Sequence, residues 1–343
     1  MKGIFGSARV ACAIFLFAEG AAWSQQLPPV EPPKPLPSAQ GQGPTIRVTT
    51  QEVLVPTLVE KPDGDVVYGL KASDFVVEDD GVPQKIRVQE ELDTAPVALV
   101  VAVEEGRSSA LEFDKLAKLG PLLDLFLADG RSQAALVGFD SKPHLLHDFT
   151  HSSDELGKDL KGLEPGDGGA AILDTISYAV DLLELQPKEY RRVLLLVSEE
   201  RDHGSRHTKP VGLIRKIGQS DVLVLSVSYS PATAEFLSDL KSNNGGGAAA
   251  DLLTPLIMAI NALKKNVSKQ IAHMSGGEYD TFTRDKTFEA RVMEAAKHVR
   301  NRYLITFSPS NPTPGLHTIR VRTTEDYGAR IVARANYWVG QGQ

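Results

Sequence analysis

The feature that most constrains the fold is an uninterrupted run of apolar residues from Val97 to Val103. Runs of this kind are typical of strands covered on both faces, as in the middle of a parallel sheet that lies between helices. The run ends in acidic, glycine and hydroxyl residues, from Glu104 to Ser109. Because open α/β sheets bind ligands at the carboxyl ends of their strands, we expect a binding site at this point.

The middle of the chain alternates apolar runs with segments of helical spacing, which predicts a doubly wound, mostly parallel α/β sheet of Rossmann-like type. We assign this domain to residues 95–310. Besides the run above, the predicted strands are 133–139, 144–149 (an edge strand), 192–197, 222–229 and 303–307 (the last strand of the sheet). The predicted helices are 111–127 (interrupted at Pro121), 154–163, 170–185, 209–217 and 251–274 (re-entering at Pro255).

Short alternating runs at both ends of the mature chain predict a small β subdomain. In the N-terminal β unit, residues 45–94, Asp79-Asp80-Gly81 predicts a hairpin turn between 75–78 and 85–90. The C-terminal segment, residues 311–343, contains two alternating runs that predict a second hairpin. Since an isolated hairpin is marginal in water, we expect this one to pack on the N-terminal unit.

The first residues have the pattern of a secretory signal peptide. In residues 1–24, Lys2 and Arg9 precede or flank a short apolar core, and small residues follow at the cleavage positions. A buried N-terminal helix is the alternative. Residues 25–44 are Pro-rich and predict an extended linker, with a docking motif for a proline-binding domain as the alternative.

Charge, hydropathy and cysteine content restrict the classes of function that this chain can have. The net charge is −7 and no basic stripe is present, which argues against a nucleic-acid partner. No further apolar segment is long enough to span a membrane, so we do not expect an integral membrane protein. The single cysteine, Cys12, lies inside the predicted signal. An exported chain without disulfides fits a bacterial periplasm or exterior.

Two stretches resemble a known family. Pro96–Ser109 resembles the first strand and metal loop of von Willebrand factor A domains, in which the strand ends in Asp-x-Ser-x-Ser. Leu70–Gln84 resembles the Leu-x-x-x-Asp-Phe-x-x-x-Glu-Asp-Gly-x-Pro-Gln stretch that precedes the A domain in bacterial VWFA-related proteins, first recognised in Acidobacteria, with one extra aspartate here. The resemblance implies adhesion or assembly, with a metal ion completing the contact to a carboxylate of the partner.

The ligand positions of that family's metal site are altered in this chain. The resemblance implies a carboxylate and two hydroxyls from the first loop, a threonine from a second and an aspartate from a third. The matching residues are Glu104, Gly106, Ser108, Ala170 and Glu199, of which only Ser108 keeps the family's type. Gly106 and Ala170 lack the hydroxyl ligands of the family. Glu104 and Glu199 are one methylene longer than the family's aspartates, a change in geometry that Ca²⁺ tolerates better than Mg²⁺. We therefore expect a vestigial metal-site rim without a cofactor; weak Ca²⁺ or Mg²⁺ binding is the alternative.

Histidines offer a second, competing interpretation. His203 and His207 are four residues apart beside Asp202, a spacing that can hold Zn²⁺ on a helix, although Gly204 and the residues around it favour a solvated loop. His144 and His147 are expected on opposite faces of a strand, which argues against a shared metal.

Taken together, these patterns predict an exported, non-enzymatic protein-interaction or adhesion module. Its partner is an unknown protein or cell-surface ligand, bound through loops such as 200–208 or the Gly-rich segment 242–250. The alternative is a metal-dependent exported enzyme that uses Glu104 and Glu199 with His203 or His207. No hydrolase or phosphate-binding motif accompanies them in the sequence.

Overall fold

The computed structural model describes residues 52–89, 95–106, 109–229 and 253–341. Several predictions concern residues outside these ranges: the signal peptide (1–24), the Pro-rich linker (25–44), Ser108 and the Gly-rich segment (242–250).

The described strands and helices follow the order that alternating apolar and amphipathic segments predict. The strands are β1 (Val53–Glu60), β2 (Phe75–Asp79), β3 (Val82–Pro83), β4 (Ile86–Val88), β5 (Val97–Glu104), β6 (Gln133–Phe139), β7 (Pro143–Thr150), β8 (Arg191–Ser198), β9 (Leu223–Tyr229), β10 (Tyr279–Phe282), β11 (Tyr303–Phe307), β12 (Gly315–Thr323), β13 (Arg330–Ala333) and β14 (Asn336–Val339). The helices are α1 (Phe113–Leu116), α2 (Leu119–Leu127), α3 (Ser153–Lys161), α4 (Ile172–Glu184), α5 (Pro210–Gln219), α6 (Leu253–Lys265), α7 (Val267–Ser275) and α8 (Asp285–Arg300).

The central sheet has the doubly wound topology that the sequence predicts. Its strand order is β10-β9-β8-β5-β6-β7, and only the edge pair β6 and β7 is antiparallel. Every residue of β5 is buried, as the continuous apolar run requires. In β5, Leu99 and Val101 point into a core that is shared with α2, α3 and α8. Val100 and Ala102 point into the opposite core, which α4, α5 and α7 cover.

Strands from the two ends of the described chain form two further antiparallel sheets. One has the order β13-β1-β11-β4, and the other has the order β14-β12-β2-β3. Val55 and Phe307 of the first sheet share a hydrophobic cluster with Val77 and Ile319 of the second, so the two sheets bury their apolar faces against each other. This β part of the fold confirms that N-terminal and C-terminal segments pair.

Three details of the strand assignment were wrong. Tyr303–Phe307 is not the last strand of the central sheet, because it pairs with β1 and β4. The remaining strand of the central sheet is instead β10, which pairs with β9 at the edge. It is short and of mixed polarity, so the sequence gives no clear apolar signal for it. The two C-terminal runs do not form a hairpin with each other: β12 pairs with β2 and β14, whereas β13 pairs with β1.

Turn and helix boundaries differ in smaller ways. The turn at Asp80-Gly81 is present with positive φ at both residues, but it leads into β3 rather than into the 85–90 run. The long helix predicted for 251–274 is interrupted at Asn266, whose side chain caps α7 through the Lys269 amide. Pro255 lies in the first turn of α6, where its missing N–H costs nothing. Among the described residues, no helix has the length and apolar character needed to cross a membrane.

Candidate functional site

Loops at the carboxyl edge of the central sheet bring the predicted rim residues together. The Glu105 carbonyl accepts a hydrogen bond from the Gly166 amide at 2.7 Å, which joins the loop after β5 to the loop before α4. The Ala170 carbonyl accepts one from the His203 amide at 3.1 Å, which joins the same loop to the one after β8. Glu104, Gly106, Ala170 and Glu199 therefore belong to one connected rim.

Glu104 is buried at the floor of this rim, where its side chain is 1% exposed. Its Oε2 accepts a hydrogen bond of 2.9 Å from the Glu199 amide, and Oε1 makes no hydrogen bond with a described residue. Burial raises the pKa of Glu104 to about 7, although the nearby Tyr229 hydroxyl and the Glu199 amide favour the ionised form. This carboxyl therefore keeps its proton to a higher pH than an exposed glutamate does.

Glu199 has a side-chain partner supplied by the chain itself. Its carboxylate forms an ion pair with the His203 imidazole, four residues later in the same loop. Burial raises the pKa of Glu199, and the charge of His203 opposes that rise. The group that contacts this carboxylate is therefore a side chain of the same loop.

The family metal ion that the resemblance implies, Mg²⁺ or Ca²⁺, does not fit the donors present. Gly106 has no side chain, and the buried Ala170 offers only a methyl group where an oxygen ligand is required. The space is also limited: a Cβ added at Gly106 would lie 2.8 Å from the Gly169 carbonyl oxygen and 3.1 Å from Glu104 Oε1. Backbone of the neighbouring loop thus occupies the position that a serine side chain would need.

Restoring the missing hydroxyl should be destabilising. The Gly106→Ser variant is expected to lose about 1–3 kcal/mol of unfolding free energy, because its Cβ must displace backbone rather than a flexible side chain. Chemical denaturation measures the loss. Gly168→Ser is the matched control, since a Cβ there would meet no atom within 4 Å. Equal stability of the two variants would show that the loop moves freely to accept the side chain.

Glu105 is a further rim residue, which was not among the predicted site residues. Its carboxylate is buried and lies 3.1 Å from His144 Nε2 of the edge strand β7. Burial, followed by the charge of Asp140, raises the pKa of Glu105 to about 7. The available signal was the acidic doublet at the end of β5, but its polar composition gave no reason to expect both side chains to be buried.

The loop from 200 to 208 is held by Asp174, which lies in the first turn of α4. The Asp174 carboxylate accepts hydrogen bonds from the amides of Arg206, His207 and Thr208, at 2.5–3.2 Å. Burial alone would raise the pKa of Asp174, but these hydrogen bonds hold it below its usual value. The loop therefore has a defined backbone although it contains no regular structure.

Within the described residues, the candidate histidine ligands have separate contacts. Within the described residues, neither His203 nor His207 belongs to a group of three metal-ligating side chains. His144 contacts Glu105, whereas His147 contacts Asp159 at 2.7 Å, so the two histidines have separate partners. The two histidines therefore lie in different environments.

The strand order, the antiparallel edge strand and the helices on both faces define a von Willebrand factor A-like domain. This agrees with the fold that the sequence resemblance implies.

Several solved structures are similar to this chain at low sequence identity. One is BatB, a conserved hypothetical protein from Bacteroides thetaiotaomicron (15% identity, 59% of this chain and 98% of that chain, TM-score 0.41). Another is the vWF domain of the type V pili tip protein Mfa5 from Porphyromonas gingivalis (12% identity, 60% and 95%, TM-score 0.43). A third is the pilus adhesin SpaC from Lactobacillus rhamnosus GG (9% identity, 77% and 47%, TM-score 0.42). No protein-family model and no curated protein matches the chain.

Proposed function

We propose that the chain is an exported, non-enzymatic protein-interaction or adhesion module that binds its ligand without a bridging metal ion. In this proposal the metal site is vestigial, residues 1–24 direct export, and the chain is of the bacterial VWFA-related type. The observation that carries the proposal is the internal pairing of the rim carboxylates: Glu104 accepts from the Glu199 amide, and Glu199 pairs with His203.

The exposed chemistry of the 200–208 loop favours an acidic ligand. The carboxylates of this loop are used internally, because Glu200 accepts from the Tyr279 hydroxyl and Asp202 accepts from the Leu173 amide. By contrast, the side chains of Arg201 and Arg206 are exposed. Arginine binds carboxylates with two parallel hydrogen bonds, so these residues could replace a metal ion in contacting a partner carboxylate.

The test is retention of the purified full chain on an immobilised cell-envelope fraction from the producing organism, with EDTA or with Mg²⁺. Retention should be the same in both buffers, and Arg201→Glu with Arg206→Glu should reduce it at least tenfold. Lys188→Glu is the matched control, because Lys188 is exposed near the opposite edge of the sheet. Loss of retention in EDTA, or full retention by the double variant, would contradict the proposal.

A metal-dependent enzyme remains the second candidate because two rim carboxyls have a pKa near neutrality. Burial raises the pKa of Glu104 and of Glu105 to about 7, and perturbed groups of this kind are frequent in active sites. This candidate requires a metal held by the rim. It is favoured if elemental analysis finds stoichiometric zinc in the purified protein and if the zinc is lost in His203→Gln.

A further inference from the structure

We infer that Asp79, Asp80 and His317 form a binding site for one divalent transition-metal cation, of the Zn²⁺ or Mn²⁺ type, in the β part of the fold. These side chains lie away from the rim of the A-like domain and play no part in the proposed function above. Each offers one ligand atom, and the three atoms lie within 4.8 Å of one another.

The backbone of the β2–β3 turn places the two aspartates. Asp79 is the last residue of β2 and pairs with Ile319 of β12, the strand that also carries His317. Asp80 follows with φ of +48°, a left-handed conformation that is uncommon for a residue with a side chain and is tolerated best by Asp and Asn. This conformation brings both carboxylates to the same histidine.

Each of the three side chains is oriented through its other polar atom. His317 Nε2 donates to the Thr313 carbonyl at 2.6 Å, which leaves Nδ1 as the inward atom. The Tyr337 hydroxyl donates to Asp79 Oδ2 at 2.8 Å. The Thr318 amide donates to Asp80 Oδ1 at 2.9 Å. Metal-ligating histidines and carboxylates are held by second partners in this way.

The remaining inward atoms have the spacing of a coordination shell. His317 Nδ1 lies 2.8 Å from Asp80 Oδ2 and 3.5 Å from Asp79 Oδ1. Two ligands that are each about 2.1 Å from one metal ion lie roughly 3.0 Å apart at a right angle and 3.4 Å apart at a tetrahedral angle. The two separations from His317 Nδ1, 2.8 and 3.5 Å, lie within about 0.2 Å of these values.

The burial of Asp79 and His317 is a second observation that supports a bound cation. Asp79 is 5% exposed and His317 is 2% exposed. Asp79 Oδ1 nevertheless makes no hydrogen bond with any described residue, although buried carboxylate oxygens are normally paired. The Asp80 side chain is 40% exposed, so an ion can enter from its side and complete its shell with water. One imidazole nitrogen with two carboxylates suits Zn²⁺ or Mn²⁺.

In a second buried group of similar composition, arginine side chains already pair with the carboxylates. Glu60, Glu278 and His298 also approach one another, but two arginines already occupy the carboxylates: Arg330 contacts Glu60 at 2.7 Å, and Arg302 contacts Glu278 at 2.8 Å. The chain supplies two guanidinium groups there, whereas within the described residues the carboxylates of Asp79 and Asp80 contact the imidazole of His317 but no arginine or lysine.

The test is titration of the full chain, prepared without a histidine tag and stripped with EDTA, by ZnCl₂ and separately by MnCl₂. Calorimetry should give one equivalent of saturable binding for at least one ion, with a parallel rise in Tm. His317→Gln and Asp80→Asn should each weaken binding at least about tenfold. The second variant keeps the turn and a half-exposed side chain, so it reports on binding even if the first fails to fold. His203→Gln is the matched control at the rim and should bind normally.

Three results would overturn the inference. No saturable binding of either ion would show that the three residues form an ion pair only. Unchanged binding in Asp80→Asn would place the ion elsewhere. Binding that is lost in His203→Gln but kept in Asp80→Asn would place it at the rim, and that result would also contradict the metal-independent function proposed above.

Discussion

Replacing Glu104 with glutamine is expected to raise the free energy of unfolding by roughly 2–3 kcal/mol at about pH 8 and to change it little at about pH 5. Burial raises the pKa of this carboxyl from 4.5 to about 7, so the folded protein holds a proton that the unfolded chain releases. The cost of ionising Glu104 therefore grows as the pH rises from 4.5 to about 7 and is constant above that interval. Glutamine cannot ionise, yet its side-chain oxygen can still accept from the Glu199 amide.

Urea denaturation across this pH range measures the effect, as the difference between variant and wild type at each pH. Glu164→Gln is the control, because Glu164 is exposed in the loop before α4 and should show no such difference. If Glu104 were instead a ligand of a bound ion, the variant would be less stable than wild type in Mg²⁺ or Ca²⁺, and the loss would vanish with EDTA. That outcome would contradict a vestigial site.

The interior of the central sheet was predictable because its residues carry one unambiguous signal. The strands β5, β6, β8 and β9 are mostly apolar, and each is followed by an amphipathic segment or a loop that contains glycine or polar residues. Burial on both faces requires such a composition, so the sequence specifies those strands almost residue by residue.

The edges of the sheets were not predictable by the same argument. β10 has four residues of mixed polarity, and its place in the sheet depends on β9 beside it. Tyr303–Phe307 has the largely apolar composition of a central strand, but it pairs with β1 and β4 instead. The composition of a strand indicates whether it is buried, but it does not indicate which strand lies beside it. Neither assignment could therefore be made from the residues of the strand alone.

The sequence predicted where the candidate site lies, but it did not predict which of its side chains are buried or which partners they contact. The alignment of loops placed Glu104 and Glu199 at one edge, which the fold of the sheet guarantees. The burial of Glu105 and the ion pair of Glu199 with His203 depend on how three loops pack together. In the β part, Asp79 and His317 are far apart in the sequence, and only the pairing of β2 with β12 brings them into contact.

Replacing Arg302 with methionine is expected to lower the free energy of unfolding by about 3–5 kcal/mol. The guanidinium is buried, donates to the Gly276 carbonyl at 2.7 Å and pairs with Glu278 at 2.8 Å. Glu278 in turn contacts His298 of α8 at 3.0 Å, and Arg330 of β13 pairs with Glu60 of β1. Removal of one cation leaves a buried carboxylate undercompensated between the central sheet and the β part.

The pH dependence of this variant has a defined sign. Burial opposes ionisation of Glu278, but His298 and Arg302 lower its pKa below 4.5, so its ionisation stabilises the folded protein above that pH and the benefit is lost as the pH falls. Without Arg302 the pKa of Glu278 rises, and acid unfolding should be less steep. Arg320→Met is the control, since Arg320 is exposed on β12 and its loss should cost little.

A double-mutant cycle separates lost pairing from lost packing in the Arg302 variant. If the uncompensated charge of Glu278 dominates, Glu278→Gln should cost much less in the Arg302→Met background than in wild type, with a coupling free energy of roughly 1–3 kcal/mol. If the costs of the two single variants simply add, the ion pair contributes nothing beyond the volume of its side chains. The first outcome would identify this buried charge network as a connection that holds the β part against the A-like domain, because its members come from β1, β13, α8 and the segment before β10.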